Sequence, residues 1–234
     1  MYNHFMKQLL LFDIDGTLIR VNKAGREAFF DALSSLFPSK LTGAFCFSLR
    51  GVTDLGVFTA FCRQFGIPFS DSLWTDFSML FMEALKRISG TYAWETLPGA
   101  DEMLNKCFNY NIKIGLATGN TRACSRHKLS ASHLNIPDFA GGFGDDSLTK
   151  TESVQKALHA FPCIAPCNVL FFGDTMSDYE AAVNAGIPFV GIAGPDFTKN
   201  ETGNPFPVIE DYLSLLNSPT SSLYREIFGE PGCK

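Results

Sequence analysis

Leu9-Leu10-Leu11-Phe12-Asp13-Ile14-Asp15-Gly16-Thr17-Leu18 is the stretch on which the fold turns. An unbroken apolar run that stops at two acids reads as a fully buried strand of a parallel sheet. Side chains alternate with a period of two along a strand, so Asp13 and Asp15 are expected to leave its carboxyl end on one side. Ligands of open α/β sheets bind at that end. Two carboxylates there suit one group that attacks or binds metal and one that moves protons. The rival reading is an ordinary Asp-Gly turn after a strand, and the rest of the chain has to decide.

Working outward, apolar runs recur at Ile112–Ala117, Val169–Phe172 and Phe189–Ala193. Helical patterns separate them. Ala100, Met103, Leu104, Cys107 and Phe108 share one stripe, and Val154, Ala157, Leu158 and Phe161 another. Thr149 with Glu152, and Ser177 with Glu180, have capping-box spacing. Gly186 and Pro188 mark a helix stop. Strand alternating with helix predicts a doubly wound, Rossmann-like parallel sheet, an α/β fold.

Between about Ile19 and Leu97 no buried strand is visible. Three apolar stripes appear instead: Ala28 to Leu36, Phe58 to Phe65 with Thr53 as N-cap, and Phe77 to Ile88 with Asp71 as candidate N-cap. The expected organisation is an α/β core of residues 1–18 and 98–234, with a helical cap of residues 19–97 inserted after the first strand. Residues from Asn217 onward show little pattern and are expected to form a loosely held tail.

The chain has 234 residues, of which 46% are hydrophobic and 18% charged, enough apolar material for a sizeable core. A net charge of -5 without a basic cluster argues against nucleic acid or an anionic membrane as partner. Seven cysteines, an odd number with no Cys-x-x-Cys, read as free thiols of a reduced interior. With no signal-peptide pattern and no bilayer-length apolar run, a cytoplasmic location is expected.

Four chemically loaded turns follow the apolar runs and helix starts. They carry Asp13 and Asp15; Thr118-Gly119-Asn120; Lys150, just after the cap residue Thr149; and Gly173-Asp174 through Asp178. Gathered at one sheet edge, Asp13, Asp174 and the backbone carbonyl of Asp15 present hard oxygen ligands for Mg²⁺. Thr118, neighbouring amides and Lys150 suit phosphate oxygens. Asp13 is placed to attack phosphorus, and Asp15 to protonate the leaving oxygen and then deprotonate water.

These turns resemble the motifs of the haloacid dehalogenase superfamily on its phosphatase side. Asp13-Ile14-Asp15-Gly16-Thr17-Leu18 matches the first motif, DxDGT. Thr118-Gly119-Asn120 is similar to the second, Lys150 to the third, and Gly173-Asp174 through Asp178 to the fourth, GDxxxD. The helical insert resembles the family's C1 cap. The resemblance implies a Mg²⁺-dependent phosphatase working through an aspartyl phosphate on Asp13. Asp15 is then general acid/base and a ligand through its carbonyl. Thr118, Gly119, Asn120 and Lys150 bind the phosphoryl group. Asp174 ligates metal, and Asp178 holds a metal-bound water or orients Lys150. Lys128 is the rival for the third motif.

Gly51-Val52-Thr53-Asp54 is similar to a turn of phosphoglycolate-phosphatase-like relatives, which makes Thr53 and the adjacent Arg50 candidate substrate contacts. Two departures bear on the substrate: Thr151, not proline, follows Lys150, and Arg20 stands where many relatives carry an acid. The implied partner is a small phosphorylated metabolite; oligomeric state is not readable. Other readings on this fold are a phosphomutase resembling β-phosphoglucomutase, a true dehalogenase, and an inactive binding protein.

Overall fold

The computed structural model describes residues 7–40, 52–134, 136, 140–198 and 203–229. Six strands lie among nine helices there: β1 (Leu9–Phe12), α1 (Ala24–Leu36), α2 (Asp54–Gln64), α3 (Asp71–Ser89), α4 (Ala100–Asn109), β2 (Lys113–Ala117), α5 (Arg122–Ala131), β3 (Gly141–Gly142), α6 (Lys150–His159), β4 (Val169–Gly173), α7 (Met176–Ala185), β5 (Phe189–Ile192), β6 (Val208–Ile209), α8 (Tyr212–Leu216) and α9 (Ser222–Phe228). All strand pairs are parallel, in the order β3-β2-β1-β4-β5-β6. That order places the topological switch point between β1 and β4, where doubly wound sheets bind ligands.

Alternation along β1 shows why an uninterrupted apolar run was needed. Leu10 and Phe12 join a core with α4, α8 and α9, while Leu9 and Leu11 join a second core with α6 and α7. Both faces are therefore covered, and a polar residue at any of these four positions would be buried. Phe12 and Phe172, on adjacent strands, stack with ring centroids 5.1 Å apart.

Three helices follow β1 and bury a third apolar cluster built on Phe29, Phe58, Phe61, Phe77 and Phe81. The segments leading into and out of them run side by side: Leu97 N–H donates to Leu18 O at 2.9 Å and Arg20 N–H to Glu95 O at 2.8 Å. Cys124 of α5 belongs to this cluster as well, so the insertion packs on the helix that follows β2.

Several local expectations need correcting. The cap of α3 is Ser70, whose hydroxyl accepts from Leu73 N–H, and Asp71 is the first helical residue. The capping box of α7 is Thr175 with Asp178, not Ser177 with Glu180. Glu152 accepts from Leu148 N–H, so the box expected at Thr149 is half formed. Phe108 stands on the exposed side of α4. The segment from residue 217 to residue 229 is no loose tail: α9 buries Leu223, Tyr224, Ile227 and Phe228 against the α4 side of the sheet, and Lys7 pairs with Glu226 at 3.0 Å. Its apolar residues are too few to register as a periodic pattern, yet all four point inward.

Candidate active site

The carboxyl ends of β1, β2 and β4 open into a cavity of about 400 Å³ whose other wall is the helical insertion. Core residues Asp13, Asp15, Gly119, Asn120, Lys150 and Asp174 line it, facing Val21, Arg26, Phe29, Val52 and Phe81 from the insertion. Asp13 extends the sheet ladder by one step, its N–H donating to Phe172 O at 3.0 Å. The backbone then turns sharply. Gly16 has φ +79°, a conformation that strains any residue with a Cβ. A Cβ there would also fall on the Asp174 carboxylate, so glycine is what lets the loop of β1 close on the end of β4.

That turn ends the strand's alternation, and the two aspartates diverge. Asp13 faces α6 and α7: its Oδ1 lies 2.8 Å from Lys150 Nζ, which lies equally far from Asp178 Oδ1. Asp15 faces α5: its Oδ2 accepts from Lys128 Nζ at 2.5 Å and from Asn120 Nδ2 at 2.8 Å. The expectation that both leave on one side holds only in that both open into the same cavity.

Electrostatics separate the pair further. Burial pushes the Asp13 carboxyl up to about 6, against the pull of Lys150. Burial also works against the Asp15 anion, but Lys128 and Asn120 outweigh it and hold that carboxyl below its ordinary value. Burial opposes both lysine charges, yet Lys128 is raised by Asp15 and Lys150 by Asp13 and Asp178.

The positions of the helices explain how the side chains converge. Lys150 is the first residue of α6, and Thr149 caps that helix through Glu152 N–H. Ser153 Oγ, one turn on, donates to Thr118 O and Gly142 O at 2.9 Å each, which ties α6 to the ends of β2 and β3. Asp178 is fully buried; its Oδ2 accepts from Thr175 N–H and hydroxyl, so the box that starts α7 also aims Oδ1 at Lys150. Thr118 is fully buried and its hydroxyl accepts from the N–H and side-chain amide of Asn120, which leaves its own proton to donate.

Carboxylate oxygens of Asp13, Asp174 and Asp178 lie within 4.8 Å of one another, all three residues buried. Lys150 Nζ is paired with two members of this group, Asp13 and Asp178. Three buried carboxylates converging on one spot form an all-oxygen donor set, which is what a hard divalent cation binds. The group fits a metal ion.

Of the expected cap contacts, Arg50 lies outside the described residues. Thr53 is fully buried and caps α2, accepting from Gly56 N–H at 3.1 Å; its hydroxyl serves the helix, and Val52 and Asp54 line the cavity in its place. Asp54 Oδ2 accepts from Thr121 N–H at 2.8 Å, Asp54 N–H donates to Gly119 O at 2.8 Å, and Leu55 N–H to Gly144 O at 2.9 Å. The insertion is thereby fastened to the turn after β2. Burial pushes the Asp54 carboxyl up to about 7. Sequence reasoning missed Asp54 and the actual place of Lys128. For Lys128 a signal existed: it is in helical phase with Cys124, Ser125 and Leu129, all buried, where a lysine costs energy unless paired.

Comparison with known proteins agrees with this geometry. No curated protein matches the sequence. A hydrolase from Pseudomonas syringae superposes with TM-score 0.65 at 22% identity, covering 90% of this chain and 97% of that one. CbbY from Rhodobacter sphaeroides in complex with xylulose-(1,5)bisphosphate gives 0.67 at 17%, with 90% and 96% covered. A putative phosphatase from Clostridium difficile gives 0.58 at 18%, with 91% and 98% covered. At these identities the likeness concerns the fold. The sequence model of haloacid dehalogenase-like hydrolases matches residues 10–192, which include both acids of the first turn, Lys150 and Asp174. The chain belongs to the haloacid dehalogenase-like hydrolase family.

Proposed function

We propose that the protein is a Mg²⁺-dependent phosphatase that hydrolyses a small phosphomonoester through an aspartyl phosphate on Asp13. The observation that carries this reading is the division of two aspartates, separated by Ile14, between two lysines. Asp13 sits in the acidic group with Asp174 and Asp178, while Asp15 is held apart by Lys128 and Asn120. One carboxylate can then meet phosphorus while the other manages protons. The phosphatase label of a structural neighbour and the family membership support the same chemistry.

The substrate's phosphoryl group fits between Asp13 and the turn of Thr118, Gly119 and Asn120, with Lys150 at its side. Mg²⁺ held by Asp13, Asp174 and Asp178, with the Asp15 carbonyl, would neutralise phosphate charge. A carboxylate oxygen of Asp13 bonds to phosphorus as the ester P–O bond breaks. Asp15, an anion at rest, takes a proton from the phosphate monoanion and delivers it to the leaving oxygen. Water then attacks the phosphorus of the aspartyl phosphate, Asp15 takes its proton, and inorganic phosphate leaves with Asp13 regenerated. The insertion walls the cavity and limits water during the first step.

The test is p-nitrophenyl phosphate hydrolysis by purified protein with and without Mg²⁺. Activity should vanish with EDTA, return with Mg²⁺, and be absent in Asp13→Asn. Equal turnover by that variant would remove Asp13 as nucleophile, and full activity in EDTA would remove the metal.

A further inference from the structure

Lys128 has no part in the scheme above, although it lines the cavity and is only 5% exposed. A lysine this deep must be held by partners to keep its charge. It has two. Nζ donates to Asp15 Oδ2 at 2.5 Å and to Asn120 Oδ1 at 2.7 Å, and Asn120 Nδ2 donates to the same Asp15 oxygen at 2.8 Å. Lysine, asparagine and aspartate thus close a triangle in which both donors fall on one carboxylate oxygen. The insertion covers this triangle from above: a Cβ on Gly25, in the first turn of α1, would lie 3.2 Å from Lys128 Nζ.

We propose that Lys128 is the positioning residue for the proton step, fixing the Asp15 carboxylate so that Oδ1 faces the reaction. The inference rests on the phosphatase reading. Asp15 lies on a loop beyond the end of β1, and its side chain is 32% exposed, so nothing in regular structure sets the plane of its carboxylate. A charge-assisted bond and an amide bond on Oδ2 set that plane and leave Oδ1 outside both contacts. Lys150 does no equivalent work here, being committed to Asp13 and Asp178. Lys128 touches neither phosphorus nor the leaving group; it acts through Asp15. As the ester bond breaks, the electron pair goes to the leaving oxygen, and a proton that Asp15 Oδ1 has taken from the bound phosphate monoanion moves to that oxygen.

A positioning role of this kind depends on the leaving group. p-Nitrophenolate departs without a proton, whereas an alkoxide needs one. The experiment compares kcat/KM of wild type, Lys128→Met, Asp15→Asn and the double variant. The substrates are p-nitrophenyl phosphate and the best alkyl ester from a panel of propyl, glyceryl and glycolyl phosphates. Lys128→Met should lose about 100-fold or more on the alkyl ester, the range of general acid catalysis, and less than about tenfold on p-nitrophenyl phosphate. Added to Asp15→Asn, it should cost little more on the alkyl ester, because both act in one step. Lys128→Arg, which keeps a cation, should retain the wild-type preference between the two substrates and takes over the comparison should the methionine variant not fold. Equal losses on both substrates, additive losses in the double variant, or a wild type active on p-nitrophenyl phosphate alone would overturn the role. A wild type inactive on every phosphomonoester would sink the phosphatase reading itself.

Discussion

Lys150 stands between Asp13 and Asp178, its Nζ 2.8 Å from a carboxylate oxygen of each. All three groups are buried, so the lysine is structural as well as chemical. Lys150→Met should destabilise the fold by about 3–5 kcal/mol, because it strands buried carboxylates without their cation. Magnesium should then raise the melting temperature of the variant more than that of the wild type, since the ion takes over part of the lost compensation. Thermal melts with and without Mg²⁺ check both statements; an unchanged melting temperature would show the pair to be dispensable.

Gly16 and Gly66 both have positive φ, +79° and +62°, but differ in surroundings. Among the described residues no atom lies within 4 Å of a Cβ on Gly66, whereas one on Gly16 would meet the Asp174 carboxylate. Alanine at either position should cost about 1–2 kcal/mol in backbone strain. Only Gly16→Ala should also abolish hydrolysis and the stabilisation by Mg²⁺. Urea denaturation and activity assays on the two variants separate strain from displacement of Asp174.

Asp54 ties stability to pH. Its carboxyl is raised by burial from 3.8 to about 7, facing Lys128, Asp15 and Asp145. Between those values the folded state binds more protons than the unfolded one, so stability must fall as pH rises. The contribution is fully present below about pH 4 and gone above about 7. Asp54→Asn keeps an acceptor for Thr121 and cannot ionise. The variant should therefore gain stability relative to wild type as pH rises from 4 to 7, with the difference levelling off above. Parallel wild-type and variant curves would exclude Asp54 as the source.

Ile227 and Phe228 of α9 are almost completely buried. Ile227→Ala should cost about 2–5 kcal/mol and Phe228→Ala about 3–5 kcal/mol in urea denaturation. A chain cut at Asn217 should lose both side chains and melt well below the full chain. If it melts alike, the last helix adds nothing to the core.

How much of this was readable in advance depended on the length of each signal. β1, β4 and β5 are continuous apolar runs because both sheet faces are buried, and β2 is one after its exposed first residue, Lys113, so each could be found from its apolar run. β3 and β6 are two-residue edge strands; Gly141-Gly142 carries no side chains to form a pattern. Asp13, Asp15 and Asp174 follow strands that the sequence marks plainly, and Lys150 follows the marked cap residue Thr149, so their convergence could be anticipated. Lys128 and Asp54 sit inside or at the start of helices, where a charged residue ordinarily means a solvated face or a favourable first turn. Only packing distinguishes those cases, and packing needs the partner elements in place.

The three bonds that join residues 54 and 55 to Gly119, Thr121 and Gly144 set an equilibrium between covered and uncovered forms. They lie far along the chain from the paired segments at Leu18 and Leu97, so the insertion is clasped at two separated points. Swinging it away requires all three bonds to be exchanged for water, at about 1 kcal/mol each. On those terms alone the uncovered form is populated on the order of one molecule in a hundred. The clasp grips the backbone of the turn assigned to the phosphoryl group, so whatever occupies that turn also changes how firmly the door is shut.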